Sequence, residues 1–236
     1  MRTTKYHLLF LIILFFFSLN CTHVNELYKY DFSSRLCYFK YYANPKISSA
    51  DIQLSDYSYS NNFLFGIILE SIGESYLENG VREKLKKAIQ PDSITLTISE
   101  GIKEGLMTYY DIVPVDSISD EPDFIVETQL NGFSLSSNTY GIYANIDSRV
   151  SIISRQNAGT AWESDVCSSY PVRDIVTGYS TNPWIRTTGG VINAVRLMQM
   201  TEEEIKECIN VTVQDVSKEQ TERLRQDIYE ASQVNK

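Results

Sequence analysis

The residues of this 236-residue chain that are best suited to chemistry are carboxylates. Glu70, Glu74 and Glu78 recur at every fourth position, which places them on one helical face, and Glu100 and Glu104 repeat the spacing. Because paired acids hydrolyse glycosidic bonds, a carboxylate-based glycan hydrolase is one function to consider. An acidic stripe opposite an apolar one is more typical of a solvated helix face, and we expect that structural role here.

A second acidic group lies between residues 116 and 123. Asp116, Asp120, Glu121 and Asp123 offer oxygen atoms of the kind that Ca²⁺ prefers. The Asp-x-Asp-x-Asp-Gly spacing of an EF-hand loop is absent from this segment. We therefore expect a solvated acidic loop that holds no metal.

Histidine is nearly absent, and this excludes many catalytic sites. His7 and His23 both precede the body of the chain. Ser-His-Asp triads, Cys-His pairs and His-Glu-x-x-His zinc sites lack their residues in that body. Gly-x-Ser-x-Gly, Gly-x-Gly and Gly-Lys-Ser/Thr sequences do not occur either, so serine-hydrolase elbows and nucleotide-binding loops are missing. We predict a protein that is not an enzyme and takes no cofactor and no nucleotide.

The charge balance bears on the choice of partner. Lys and Arg number 21 against 30 Asp and Glu, which gives a net charge of −9. Such a surface binds phosphate backbones poorly, so we expect no nucleic-acid partner.

The amino terminus predicts export and a lipid anchor. Arg2 and Lys5 precede an apolar run, LLFLIILFFF, over residues 8–17. That run is too short for the ~30 Å hydrocarbon core of a bilayer and is typical of a secretory signal peptide. Residues 18–21, SLNC, resemble a bacterial lipobox, in which diacylglycerol is attached to the cysteine. We predict a signal peptide over residues 1–20 and a membrane partner reached through a lipid on Cys21; plain secretion, with Cys21 an ordinary thiol, is the alternative.

The residue after the cysteine bears on location. Thr22 is not the Asp that retains some lipoproteins in the inner membrane. We therefore expect anchoring to the outer membrane, on either its periplasmic or its surface side.

Three further cysteines, Cys37, Cys167 and Cys208, leave two interpretations open. An exported protein permits one disulfide with one thiol left over. Three buried thiols that pack as small hydrophobic side chains are an equally good interpretation.

Hydrophobic periodicity predicts an α+β fold in which a mainly antiparallel sheet of four to five strands carries helices on one face. Residues 21–33 are expected to be the lipidated cysteine and a tether, and residues 34–236 a single domain. The polar stretch 48–62 favours a loop. Strands are predicted over residues 34–42, 111–115, 123–135, 140–154 and 160–167.

Three helices are expected beside that sheet. One begins at Asn61 or Asn62 and breaks near residue 80, and the next is capped by Asp92 and runs to about Tyr109. The last follows Thr201, where the sequence TEEE has the form of a capping box, and its apolar residues continue to Ile228.

The long loop between Val172 and Asn193 is the best candidate for a binding site. It has little periodicity, and loops of this length in compact domains are usually functional or disordered. Tyr179, Trp184 and Arg186 are of the types enriched at interface hot spots. We predict that these three bind a partner; the alternative is that Trp184 packs back over one end of the sheet.

The segment Asp123-Phe124-Ile125-Val126 and Trp162 on the returning strand resemble positions in several envelope lipoproteins. These are auxiliary lipoproteins of lipid-transport ABC systems, penicillin-binding-protein activators, the curli-secretion lipoprotein and the amino-terminal domain of the Tol-system propeller protein. The resemblance covers residues 34–230 as architecture and transfers no catalytic residue. It implies a non-catalytic binding or assembly subunit of an envelope transport or biogenesis system, with an envelope protein as partner. A surface-exposed adhesin-like lipoprotein is the alternative.

Overall fold

The computed structural model describes residues 23–44, 51–54, 90–138, 141–173 and 199–234, and single positions at 84, 87, 88, 193, 196 and 197. The described elements form an α+β architecture in which two helices pack against one face of a mixed β-sheet. One hydrophobic core lies between these layers and includes residues from Leu27 to Ala231.

The sheet combines an antiparallel meander with parallel strands at one side. Its seven strands are β1 (His23–Asn25), β2 (Leu36–Ala43), β3 (Asp51–Leu54), β4 (Val113–Val115), β5 (Phe124–Asn138), β6 (Gly141–Ser154) and β7 (Thr160–Arg173). The order is β1-β7-β6-β5-β2-β4, and β3 pairs with β5 beyond the end of β2. The pairs β5–β6, β6–β7 and β1–β7 are antiparallel, whereas β2 and β3 run parallel to β5 and β4 runs parallel to β2.

The long strands follow the period-two pattern of their sequences. In β6, residues Ile142, Ala144, Ile146, Val150 and Ile152 are all at most 2% exposed. The odd-numbered residues from 143 to 149 are partly exposed. Because successive side chains of a strand point to opposite faces, this alternation puts one face of the sheet in the core. The helices cover that face.

The first helix, α1 (Pro91–Tyr110), has a start and an end set by single residues. Pro91 occupies the first turn, where its missing N–H costs nothing, and Gln90 is the N-cap. Asp111 ends the helix in the left-handed region, at φ 52°. The prediction that Asp92 caps this helix was wrong, because the proline directly before it already lies inside the first turn.

The second helix, α2 (Glu202–Val234), begins at the predicted capping box. The backbone N–H of Glu204 donates to Thr201 Oγ1 at 3.2 Å, and the backbone N–H of Thr201 donates to Glu204 Oε2 at 2.9 Å. Its apolar stripe, from Ile205 to Ala231, then faces the core.

The two helices approach closely at Gly101. A Cβ atom at this position would collide with Ser217 Oγ of α2. Ser217 Oγ instead donates a hydrogen bond to the Thr97 carbonyl at 3.1 Å. Glycine is therefore required here by the distance between the helices and not by the backbone conformation.

The sheet differs from the predicted one in its parallel part. The meander β5–β6–β7 has the antiparallel pairing expected from the sequence, but β2, β3 and β4 add on in parallel, which makes a mixed sheet of seven strands among the described residues. Strand direction depends on the path of the chain between strands, here through α1, and a hydrophobic pattern carries no information about that path. Strand β7 also extends to Arg173, six residues beyond its predicted end.

Two segments expected to be irregular contain strands. Residues 51–54, inside the predicted loop, form β3 on β5. Residues 23–25, inside the predicted tether, pair with β7, and beyond them Leu27 and Phe32 are each 1% exposed in the core. Residues 23–32 are thus part of the folded domain and do not form a tether. The helix expected between Asn61 and residue 80 lies outside the described residues.

Candidate functional site

The residues that sequence analysis singled out for binding lie outside the described residues. This holds for Cys21 and for the loop residues Tyr179, Trp184 and Arg186. The structure therefore gives no geometry for them, and their roles stay predictions.

The described carboxylates of the candidate hydrolase lie on the surface of α1. Glu70, Glu74 and Glu78 lie outside the described residues. Glu100 and Glu104 are exposed on α1, and Glu100 Oε1 lies 3.7 Å from Lys103 Nζ. An exposed ion pair within one helix is typical of a solvated surface.

The acidic loop before β5 has structural contacts. The Asp120 carboxylate accepts from the Ser117 N–H at 3.2 Å in a small capping box. Asp123 Oδ2 accepts from the Leu36 N–H at 3.0 Å and so holds the start of β2. Within the part of the chain that the structure describes, no three His, Cys, Asp or Glu side chains converge on a position for a metal ion.

No disulfide joins Cys37, Cys167 and Cys208 to one another. Cys37 is fully buried in the core. Burial, reinforced by the nearby Asp123 charge, raises the pKa of the Cys37 thiol to about 12. This thiol is therefore a packing group and not a nucleophile.

The most specific polar arrangement in the described residues holds β1 against α2. Trp162 Nε1 donates to Asp227 Oδ2 at 2.7 Å, and His23 Nε2 lies 3.3 Å from Asp227 Oδ1. Asn25 Nδ2 donates to the Asp227 carbonyl at 3.2 Å. Trp162 is fully buried and Asp227 is 6% exposed. Strand β1 is therefore held by a desolvated, hydrogen-bonded carboxylate.

A second polar cluster lies where α2 crosses β7. Ser168 Oγ and Tyr170 Oη donate to Glu219 Oε2 at 2.7 and 2.6 Å, and Arg223 Nη2 donates to Glu219 Oε1 at 2.8 Å. Arg223 Nη1 also donates to the Asp165 carbonyl at 3.0 Å. This cluster joins α2 to the edge of β7.

The hydrogen bonds of this cluster set the titration of its members. Burial would raise the pKa of Glu219, but the donors Tyr170, Ser168 and Arg223 outweigh it, so the pKa lies below the ordinary value. Burial, together with the bond to Glu219, raises the pKa of Tyr170 to about 12. The pair therefore holds a neutral phenol and a charged carboxylate at neutral pH, which suits a fixed contact and not proton transfer.

The sheet face away from the helices is polar. Lys40 Nζ pairs with Glu127 Oε1 at 2.8 Å, and the Arg149 guanidinium pairs with both Asp165 oxygens at 2.6 and 3.0 Å. Near the β-bulge of β5, Gly132 contributes to a shallow depression of about 390 Å³. Since its charged groups pair with one another, this face is typical of a solvated surface.

Sequence reasoning missed the role of Asp227. The residue lies within the apolar stripe of α2, between Leu224 and Ile228, where a charged side chain requires a partner if it is buried. That position was the available signal. Its partner Trp162 was noticed only as part of a resemblance.

Comparisons with known proteins add little to this geometry. No protein-family model matches the chain, and no curated protein is significantly similar to it. No helix in the described part of the chain is long and apolar enough to cross a membrane.

Solved structures show only a weak similarity to the chain, as three of them illustrate. A Xanthomonas campestris protein assigned to the DUF330 family model is 11% identical, with a TM-score of 0.33, over 82% of this chain and 90% of that chain. The PelC dodecamer from Paraburkholderia phytofirmans is 7% identical, with a TM-score of 0.31, over 75% of this chain and 94% of that chain. A variant of the same PelC is 6% identical, with a TM-score of 0.29, over 77% and 98%. Likenesses this weak establish neither a shared family nor a shared function.

Proposed function

We propose that this chain is a lipid-anchored protein of the outer membrane that acts as a non-catalytic binding or assembly subunit of an envelope transport or biogenesis system. The observation that carries the proposal is the short distance in sequence between Cys21 and the folded domain. Strand β1 begins only two residues later, at His23, and is held by the buried Asp227 carboxylate. A lipid on Cys21 would therefore keep the domain directly at the membrane.

The lipid is tested by metabolic labelling with a palmitate analogue. We expect the wild-type protein to take up label and to sediment with membranes, and the Cys21→Ser variant to do neither. Cys208→Ser is the matched control, because it removes a different cysteine and leaves Cys21 in place. Equal labelling of wild type and Cys21→Ser would contradict lipid attachment at this residue.

The binding role is tested by cross-linking in intact cells. We expect one dominant envelope protein to co-purify with the wild type and to be lost with the double variant Trp184→Ala/Arg186→Ala. A capture that the double variant leaves unchanged would assign the 172–193 loop a structural role. An empty capture would contradict a stable protein partner.

Two alternative functions have their own measurements. Digestion of the protein by a protease added to intact cells would favour the adhesin-like lipoprotein over a periplasmic subunit. Loss of the cellular phenotype when Glu70, Glu74 and Glu104 are changed to Gln would favour the glycan hydrolase. We expect neither result.

A further inference from the structure

The sheet face that the helices leave uncovered differs in chemistry from one end of its strands to the other. At one end, charged side chains pair across strands, as Lys40 does with Glu127 and Arg149 with Asp165. Groups that already pair with one another offer little to a ligand. Past the β-bulge that follows Leu130 in β5, the strands carry mainly uncharged polar side chains on this face. Their hydrogen bonds decide whether a ligand can bind there.

One amide group organises two hydroxyl groups at this uncharged end. Asn145 Nδ2 donates to Ser134 Oγ and to Ser136 Oγ, both at 3.1 Å. Because each serine oxygen acts as the acceptor, its own O–H remains to donate. Neither hydroxyl nor Asn145 Oδ1 makes another hydrogen bond within the described residues. Two donors and one acceptor are thus held side by side before any ligand arrives, which lowers the cost of binding.

These groups border the shallow depression of about 390 Å³ beside Gly132. Asp147, opposite Gly132, and Ser169, opposite Asn145, also line it. Among the described residues, the hydrogen bond to the Asp147 carboxylate comes from Asn131 Nδ2, at 3.4 Å. A bond of this length satisfies a carboxylate poorly, so Asp147 remains a strong acceptor for a ligand.

We propose that this end of the sheet face binds an uncharged glycan. The site, here called the bulge patch, consists of Ser134, Ser136, Tyr143, Asn145 and Asp147. Neighbouring hydroxyl groups of a sugar donate and accept in turn, so they match the serine donors, the amide acceptor and the carboxylate acceptor of the patch. The inference goes beyond the proposed function and depends neither on a lipid at Cys21 nor on the loop over residues 172–193.

Tyr143 supplies the apolar surface that a sugar ring needs. It is opposite Ser136 and two residues from Asn145, so it lies on the same face of the sheet, and it is partly exposed. The C–H groups of a pyranose pack on an aromatic ring while the sugar hydroxyls reach the polar groups beside it.

Charge decides which class of glycan fits. The bulge patch contains one carboxylate, Asp147, and no cationic side chain, and the whole chain has a net charge of −9. An acidic polysaccharide would be repelled by this surface, whereas a neutral one would not. The ligand is therefore a glycan without carboxylate, sulfate or phosphate groups.

The test measures the binding of soluble tetrasaccharides to the purified full chain by ligand-observed NMR. The uncharged probes are cellotetraose, maltotetraose and tetra-N-acetylchitotetraose, and tetragalacturonate is the anionic comparison. We expect at least one uncharged probe to bind with a Kd at or below about 1 mM. Tetragalacturonate should bind at least about tenfold more weakly than that probe, because the patch repels its carboxylates.

Substitutions then locate the bound sugar. Asn145→Leu removes the amide that holds both hydroxyls and should weaken binding by at least about fivefold. The double variant Ser134→Ala/Ser136→Ala removes the two donors and keeps the amide, and a similar loss is expected if Asn145→Leu fails to fold. Lys40→Gln, on the same face but in its charged part, is the matched control and should change the Kd by less than about twofold. Urea denaturation checks that each variant is folded.

Each contrary result overturns the proposal. Failure of all three uncharged probes to bind at or below about 1 mM would show that the patch does not recognise glycans. Equally tight binding of tetragalacturonate, or a loss below about fivefold in both patch variants, would place the bound sugar elsewhere. If no sugar binds and Asn145→Leu instead abolishes the cross-link to an envelope protein, the patch is a protein interface. None of the sugar measurements requires the lipid, so their failure leaves the proposed function standing.

Discussion

Two polar side chains of α2, two turns apart, face the sheet and are treated differently by the fold. Asp227 is 6% exposed, and its carboxylate accepts a 2.7 Å hydrogen bond from Trp162 and lies 3.3 Å from His23. Gln220 is fully buried, but its amide nitrogen approaches Ser148 and Ser164 only at 3.4–3.5 Å. Its Oε1 atom has no hydrogen-bond partner among the described residues.

The difference shows where the contact between helix and sheet is specific. Short bonds to a charged acceptor are strong and directional, whereas bonds near 3.5 Å contribute little. Asp227 therefore fixes α2 against Trp162 and the first strand. The middle of the helix, at Gln220, contacts the sheet mainly through apolar packing. The Gln220 amide itself makes only long hydrogen bonds.

The largest effect is expected for Trp162→Ala. The change removes a fully buried indole from the core and the donor of the 2.7 Å bond. We expect the free energy of unfolding to fall by about 3–5 kcal/mol, measured by urea denaturation. Trp162→Phe keeps a ring but removes the N–H and part of the buried ring volume, and we expect a smaller loss of about 1–3 kcal/mol. A phenylalanine variant as stable as the wild type would show that the bond contributes nothing.

The next largest effect is expected for Asp227→Ala. It leaves the buried Trp162 N–H without its acceptor, which costs about 2–3 kcal/mol. We also expect faster amide hydrogen exchange in β1, because His23 loses its contact with α2. The control is Glu230→Ala, an exposed acid one turn later, which should change stability by no more than about 0.5 kcal/mol. Equal losses in the two variants would contradict a special role for Asp227.

A smaller effect is expected from pH at Glu219, the neighbour of Gln220. The pKa of Glu219 in the folded protein is below its ordinary value, because its hydrogen bonds outweigh its burial. This stabilisation is complete above the ordinary pKa and is lost as the pH falls through the folded pKa. Between about pH 5 and pH 3, the wild type should lose more stability than Glu219→Gln, as urea denaturation would measure. Parallel pH profiles would contradict the assignment.

The smallest effect is expected for Gln220→Met. The substitution has a similar shape, gives up only bonds of 3.4–3.5 Å and removes the unpartnered Oε1 atom. We expect the free energy of unfolding to stay within about 1 kcal/mol of the wild type, with an increase as the favoured direction. A loss of more than about 2 kcal/mol, similar to that of Asp227→Ala, would remove the contrast between the two sites.

Local patterns in the sequence predicted much of the fold. Alternation over residues 140–154 and the capping box at Thr201 and Glu204 correspond to β6 and to the start of α2. These features depend on near neighbours in the chain, because side-chain period and capping geometry are local properties. The parallel pairing of β2, β3 and β4 could not be predicted from local patterns, because it depends on which distant segments of the chain become neighbours in the sheet.

The candidate site was less predictable for the same reason. Its bonds join residues far apart in the chain, such as Trp162 with Asp227 and Tyr170 with Glu219. A single acid within an apolar helical stripe indicates that a partner is needed but does not identify it.

By itself, the sequence determined the α+β composition of the fold, the meander, the second helix and the scarcity of histidine, because each follows from residue type and local spacing. Only the tertiary structure decided that β1 adds to β7, that Asp227 is its buried support and that Arg223 bonds the next carbonyl along that edge. Those outcomes depend on which residues the fold buries and brings close together. Burial removes water from a polar group, so the group then needs a hydrogen-bond partner within the protein.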